Sequence, residues 1–115
     1  ISRHPVVAAS LSSLLFTVPH LANPEVTANG MWIMVVTYFT MGLFFFFFAM
    51  RDAGLELSIG AHTVNNFFLI VFFGYKDSPS PTSAMFTSQA YDPVLSLVAV
   101  SVSALIFYAW IFRRA

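Results

Sequence analysis

The sequence contains no cysteine, and this absence excludes disulfide bonds, thiolate zinc ligands and a cysteine nucleophile. Charged residues are also scarce, at 9% of the chain against about 25% in soluble globular domains. The formal net charge is zero and no basic stripe is visible, so nothing indicates nucleic acid as a partner. Hydrophobic residues make up 58% of the chain, which leaves too little polar surface for a water-exposed fold. The composition therefore predicts an integral membrane protein.

The start of the chain, ISRHPVV, lacks an initiator methionine and the features of a signal peptide. We therefore expect a fragment that begins partway through a longer protein. Internal repeats are also missing. The run of five phenylalanines at residues 44–48 is interpreted as lipid-facing bulk.

Four apolar segments predict an all-α integral membrane fold, in which four helical segments form part of a larger transmembrane helix bundle. They are residues 5–18, 31–50, 55–73 and 93–112. The second and the fourth have the length of about 20 residues that a helix needs to cross a bilayer. In the first segment, Pro19 is expected to end or kink the helix, which places His20 at a helix terminus.

Positive charge is distributed unequally if the four segments cross the membrane in alternation. One side then carries Arg3, Arg51, Arg113 and Arg114, and the other carries only Lys76. The positive-inside rule places the first set in the cytoplasm, and in a bacterium the membrane would be the inner membrane.

Polar side chains interrupt two of the apolar segments at helical spacing. His62 and Asn66 are four residues apart, so they lie on one face of the third helix. Phe16 and His20 have the same separation in the first helix, and the small residue Ser13 precedes them on that face. An unpaired polar group in hydrocarbon costs several kcal/mol, so the polar stripe of the third helix should point into the protein. Matching depths along the two helices predict that both imidazoles reach one small pocket.

We call the pair Phe16 and His20 the first tetrad, and the pair His62 and Asn66 the second tetrad. In this order they resemble the later motifs of the CPBP family of intramembrane proteases, also called the Abi or CAAX-protease family. Those motifs are F-x-x-x-H and H-x-x-x-N, which here are Phe16-x-x-x-His20 and His62-x-x-x-Asn66. The resemblance covers residues 1 to about 73. It divides the chain into the C-terminal part of a protease core (1–73), a polar Ser/Pro loop (74–92) and an additional transmembrane helix (93–115).

The resemblance implies an endopeptidase that hydrolyses a peptide bond of a membrane-associated protein or peptide, in CAAX-type or bacteriocin-related processing. It implies that His20 helps a family glutamate to activate water, and that His62 and Asn66 form an oxyanion site. The family's Glu-Glu-x-x-x-Arg motif lies on an earlier helix and is absent from this chain, so the fragment alone is expected to be inactive. Glu25, placed in a loop, and Glu56, in a first helical turn, lack that context and are interpreted as structural.

Other interpretations stay open on the sequence alone. A divalent metal such as zinc is an alternative cofactor, with His20 and His62 as its ligands, although two ligands are too few for a stable site. A non-catalytic membrane scaffold or partner-binding homologue, and a small transport or proton-relay protein, are the alternative functions. The expected partners are the lipid bilayer and a protein or peptide substrate.

Overall fold

The computed structural model describes residues 4–80 and 82–113. Over these residues the chain forms five helices and two short strands. They are α1 (Pro5–His20), α2 (Pro24–Asn29), α3 (Met31–Asp52), α4 (Glu56–Val71), β1 (Phe73–Tyr75), β2 (Phe86–Ser88) and α5 (Pro93–Phe112).

Helix α3 is the centre of the fold, because α1, α2, α4 and α5 all pack against it. The core cluster lies in its first half, where Met34 and Tyr38 contact Val26 of α2. Apolar side chains on the outer faces of α1, α4 and α5 stay exposed, as expected of helices that face lipid or further helices.

Small residues bring α1 and α3 into close contact, as the sequence predicted for the face that carries Ser13. A Cβ atom added at Gly42 would lie 2.8 Å from the Cα atom of Ser13. Ser13 and Thr17 are buried at this crossing, and their hydroxyls donate to the carbonyls of Ala9 and Ser13, each at 2.7 Å. Both hydroxyls at the crossing, those of Ser13 and Thr17, therefore have a hydrogen-bond partner within α1.

The four predicted segments agree with helices α1, α3, α4 and α5 to within two residues at each end. Helix α5 spans the predicted range, and Asp92 caps it by accepting hydrogen bonds from the backbone N–H groups of Val94 and Leu95. Helix α1 ends at His20, so the predicted terminal position of this histidine is confirmed. Helix α3 continues two residues past its predicted end, and Ala53 then closes it in the left-handed conformation with φ 57°.

Two features of the connections were not predicted. Residues 24–29, interpreted as a loop, form helix α2, and β1 and β2 pair in parallel from Phe73↔Phe86 to Tyr75↔Ser88. Three-residue strands are too short for a two-residue hydrophobic alternation to be recognised. The connection between α4 and α5 therefore contains a pair of hydrogen-bonded strands as well as turns.

The phenylalanine run is only partly lipid-facing, which corrects the sequence interpretation. Phe48 is buried and packs edge-to-face on Phe107 of α5, with ring centroids 5.5 Å apart. Phe45 contacts the ring of Phe16 in α1, and Phe47 is exposed. Consecutive helical residues point in different directions, so one run supplies both packing and outer surface.

Two of the four predicted spans, α3 and α5, are long and apolar enough to cross a membrane. Helices α1 and α4 have 16 residues each, which is shorter than a typical span. The Cζ atom of Arg51 lies 5.8 Å from the ring centroid of Phe112, so the C-terminal ends of α3 and α5 are at the same end of the fold. Arg3 and Arg114 lie outside the described residues.

Candidate active site

The two histidines that the sequence singled out meet in the folded chain. The ring centroids of His20 and His62 are 6.0 Å apart, although the residues belong to α1 and α4. Phe45 of α3 contacts both helices: its ring centroid lies 5.4 Å from that of Phe16 in α1 and 5.3 Å from that of His62 in α4. The hydroxyl of Ser58 donates to the carbonyl of Phe45 at 2.7 Å and fixes the first turns of α4 on α3. The two imidazoles therefore approach each other as predicted, but they line a wide groove and not a small pocket.

In the first tetrad, Phe16 makes two contacts with His20. The carbonyl of Phe16 accepts a hydrogen bond from Nδ1 of His20 at 2.6 Å, and the two rings stack with centroids 4.3 Å apart. Residues four apart meet on one helix face, so a single phenylalanine supplies both contacts. The Nδ1 proton is held by the carbonyl, so Nε2 is the ring nitrogen of His20 that is left for another partner.

The second tetrad forms the corresponding pair in α4. The side-chain amide of Asn66 donates to Nε2 of His62 at 3.2 Å. His62 is half-buried between the rings of Phe16 and Phe45, with centroids 5.2 and 5.3 Å away. Asn66 is exposed, which corrects the expectation that the whole polar stripe points into the protein.

A wide groove runs along this side of the molecule. Its volume is about 1480 Å³, larger than most small-ligand pockets. The walls come from α3, α4, α5 and the segment between the last two helices, and most lining side chains are apolar. The polar and ionisable groups of interest in the lining are those of His20, Glu25, His62, Asn66 and Tyr75. The groove thus has both apolar and polar lining, and it contains both histidines.

Glu25 belongs to this cluster, and the sequence interpretation missed it. Its side chain is only 4% exposed, and its carboxylate accepts hydrogen bonds from the hydroxyls of Tyr38 and Tyr75. The ring of Tyr38 packs in turn on His20, with centroids 4.8 Å apart. The signal that would have found helix α2 is Asn-Pro-Glu at residues 23–25, because proline at the first helical position after an asparagine is a helix start.

Burial dominates the electrostatics of Glu25. Desolvation raises the pKa of this carboxyl above its ordinary value, and the hydrogen bond from Tyr75 and the charge of His20 offset only part of the rise. Desolvation likewise raises the pKa of Tyr75, and the adjacent Glu25 carboxylate adds to that effect. Tyr75 therefore stays a hydroxyl that donates, and Glu25 is its acceptor.

Metal ligands are fewer than a structural zinc site needs. Among the residues that the structure describes, no group of three or more His, Cys, Asp or Glu side chains is placed to hold a metal ion. His20 and His62 remain a pair, which is short of the three protein ligands of a catalytic zinc site.

Comparison with known proteins identifies the family. The family model for type II CAAX prenyl endopeptidase Rce1-like proteins matches residues 1–68. The chain belongs to this family. The match to the Rce1-like family includes both tetrads and ends within α4, before the strands and α5. Family membership, together with the apolar helices α3 and α5, makes this an integral membrane protein of a protease family.

A curated bacterial protein is similar to part of the chain. The chain is 32% identical over 78 residues to the uncharacterized protein YyaK of Bacillus subtilis (strain 168). That match covers 68% of this chain and 26% of YyaK, so the chain spans about a quarter of its relative's length. No solved structure matches the chain.

Proposed function

We propose that the protein containing this chain is an intramembrane endopeptidase that hydrolyses a peptide bond of a membrane-associated protein or peptide. The observation that carries the proposal is the meeting of His20 and His62, whose rings lie 6.0 Å apart with Asn66 bonded to His62. These three residues come from both tetrads of the Rce1-like match. Membrane-associated substrates of CAAX-type or bacteriocin-related processing suit a groove that combines apolar side chains with these polar groups.

In the proposed mechanism, His20 acts as a general base. Its Nε2 lone pair takes a proton from water, in concert with the family glutamate that the resemblance places on an earlier helix. The hydroxide attacks the peptide carbonyl carbon, and the carbonyl electron pair moves to oxygen. An imidazole suits this role because its pKa is close to ambient pH. When the intermediate collapses, the C–N bond breaks and the proton passes to the leaving amine.

His62 and Asn66 stabilise the oxyanion in this proposal. Asn66 has two amide N–H groups, and only one is directed at Nε2 of His62. A substrate lying in the groove would shield its reacting carbonyl from water, and in such a dry site a preorganised donor is worth about 3–4 kcal/mol of barrier. Removing one such donor should therefore slow turnover by about 100-fold or more.

The described residues supply two histidines and no third ligand for zinc, so no step is assigned to a metal.

The proposal also retains the membrane orientation that the distribution of positive charge predicts. The end of the fold that carries Arg51 and Arg113 faces the cytoplasm, and the segment with Lys76 faces the opposite side.

The test uses the intact, membrane-extracted protein and a reporter peptide joined to a membrane anchor. His20→Ala and His62→Ala should each reduce cleavage to background while the thermal unfolding midpoint stays within a few degrees. Thr63→Ala is the matched control, because Thr63 is exposed on α4 beside His62, and it should cleave like the wild type.

Wild-type cleavage by either histidine variant would contradict the role proposed for that residue. A folded, full-length wild-type protein that cleaves no membrane peptide would favour the alternative of a non-catalytic scaffold.

A further inference from the structure

We propose that Glu25 is a positioning residue that holds two parts of the site in place through Tyr38 and Tyr75. We call Glu25, Tyr38 and Tyr75 the tyrosine clamp. On one side the clamp keeps the ring of Tyr38 on the imidazole of His20. On the other it fastens β1, through Tyr75, to α2 beside the histidines. Its effect on catalysis rests on the proposed function, but its effect on structure does not.

The first arm of the clamp runs from Glu25 to His20. The Tyr38 hydroxyl donates to Oε1 of Glu25 and accepts a hydrogen bond from the Asn23 amide at 2.9 Å. The hydroxyl is held both as a donor and as an acceptor, which restrains the Tyr38 ring. The centroid of this ring lies 4.8 Å from that of His20, with the two planes tilted by 39°. His20 is thus confined between the ring of Tyr38 and the ring of Phe16.

The second arm runs from Glu25 to the segment between α4 and α5. The Tyr75 hydroxyl donates to Oε2 of Glu25 across 50 residues of sequence. Tyr75 stacks on Tyr91 with ring centroids 4.5 Å apart, and the Tyr91 hydroxyl donates to Ser96 of α5 at 3.0 Å. One carboxylate therefore connects α2 to β1 and, through stacked rings, to the start of α5.

A purely structural filler at position 25 would not need a carboxylate. Of the residues that the structure describes, Glu25 is the only buried one with an ionisable carboxyl or basic group. Burying such a group is unfavourable unless its oxygens are hydrogen-bonded, and here each oxygen has its own tyrosine donor. The two donors come from different elements, so the carboxylate is placed to join them.

The two arms predict different kinetic effects. Tyr38→Phe removes the first bond but keeps a ring beside His20, so kcat should fall by about tenfold with KM little changed, as expected for one bond to a charged group. Tyr75→Phe releases the segment that lines the groove, so KM should rise while kcat changes less. Glu25→Ala should show both effects, and Glu25→Gln, which keeps an acceptor oxygen, should recover part of the loss. Tyr108→Phe, at the far end of α5, is the matched control and should behave like the wild type.

Two measurements do not depend on catalysis. Hydrogen exchange of amides in residues 73–92 should become faster in Glu25→Ala and Tyr75→Phe, and stay unchanged in Tyr38→Phe. The rate at which diethyl pyrocarbonate modifies His20 should rise in Glu25→Ala and Tyr38→Phe, and stay unchanged in Tyr75→Phe. Should Glu25→Ala fail to fold, Glu25→Gln and the two tyrosine variants still test both arms.

The outcomes separate the clamp from the proposed function. Wild-type exchange and wild-type His20 reactivity in Glu25→Ala would overturn the clamp, whatever the activity. Equal kinetic and exchange changes in both tyrosine variants would also overturn it, because they would mean general destabilisation. An intact protein that shows the predicted exchange pattern but no peptidase activity would reject the proposed function and leave the clamp standing.

Discussion

A methyl group added at Gly42 would collide with the backbone of α1. The new Cβ would lie 2.8 Å from Cα of Ser13, whereas ordinary contact begins at 3.4 Å, so the helices must separate by at least about 0.6 Å. Overpacking of this kind costs about 1–3 kcal/mol. Replacing glycine by alanine within a helix returns about 1 kcal/mol through backbone entropy. Gly42→Ala should therefore lower the free energy of unfolding by up to about 2 kcal/mol.

Gly60→Ala is the matched reference for stability, because nothing lies within 4 Å of a Cβ added there. It should raise the free energy of unfolding by about 1 kcal/mol, since it gains helix propensity without a collision. The difference between the two variants cancels the propensity contribution and leaves the collision, expected at about 1–3 kcal/mol. Denaturant unfolding in detergent measures both. Equal stabilities for the two variants would refute the close crossing.

The same perturbation should reach the site, since α1 carries His20. A displacement of about 1 Å in a reacting group can reduce turnover by about 100-fold, so Gly42→Ala should lower cleavage more than its stability loss explains. Adding Ser13→Gly should not restore activity, because the nearest atom is the backbone Cα atom and not the side chain. Full rescue by Ser13→Gly would show that the hydroxymethyl group, and not the helix backbone, limits the approach.

Three further predictions concern charge, aromatic packing and topology. Burial raises the pKa of Glu25 in the folded state, so the carboxyl of Glu25 in the unfolded chain ionises first as the pH rises through 4.5. The free energy of unfolding of the wild type should therefore decline from that pH up to the pKa of Glu25 in the folded state. Glu25→Gln should lack that decline in thermal unfolding curves; an unchanged curve would reject the raised pKa. Phe16→Leu keeps the carbonyl that holds His20 but removes the stacked ring, so it should reduce kcat and destabilise the fold by about 1 kcal/mol. Single cysteines at Arg51 and Lys76, in a cysteine-free background, should react with an impermeant maleimide only at position 76 in intact cells, and labelling at position 51 would reverse the orientation.

Local sequence accounts for much of the site. The spacing of Phe16 and His20, and of His62 and Asn66, was enough to place each pair on one helix face, because helical geometry depends only on neighbouring residues. The apolar run at residues 93–112 predicted the bounds of α5 for the same reason. The depths of the two histidines also predicted their meeting, since both helices pack against α3.

Long-range contacts decided the rest. The burial of Glu25 depends on Tyr75, which is 50 residues away, and no local pattern reveals that pairing. Phe45 and Phe48 were indistinguishable from lipid-facing neighbours until α1, α4 and α5 were placed around α3.

Hydropathy and helix periodicity are local properties, so they were enough to predict the membrane class, the helical segments and the two histidine tetrads. Which polar groups lie together became known only from the packed helices. In the packed structure, the rings of His20 and His62 lie 6.0 Å apart and Asn66 is exposed at the groove. Glu25 lies between Tyr38 and Tyr75 and accepts a hydrogen bond from each. The physical reason is that burial and hydrogen-bond partners depend on how helices pack, and packing joins residues that are far apart in the chain.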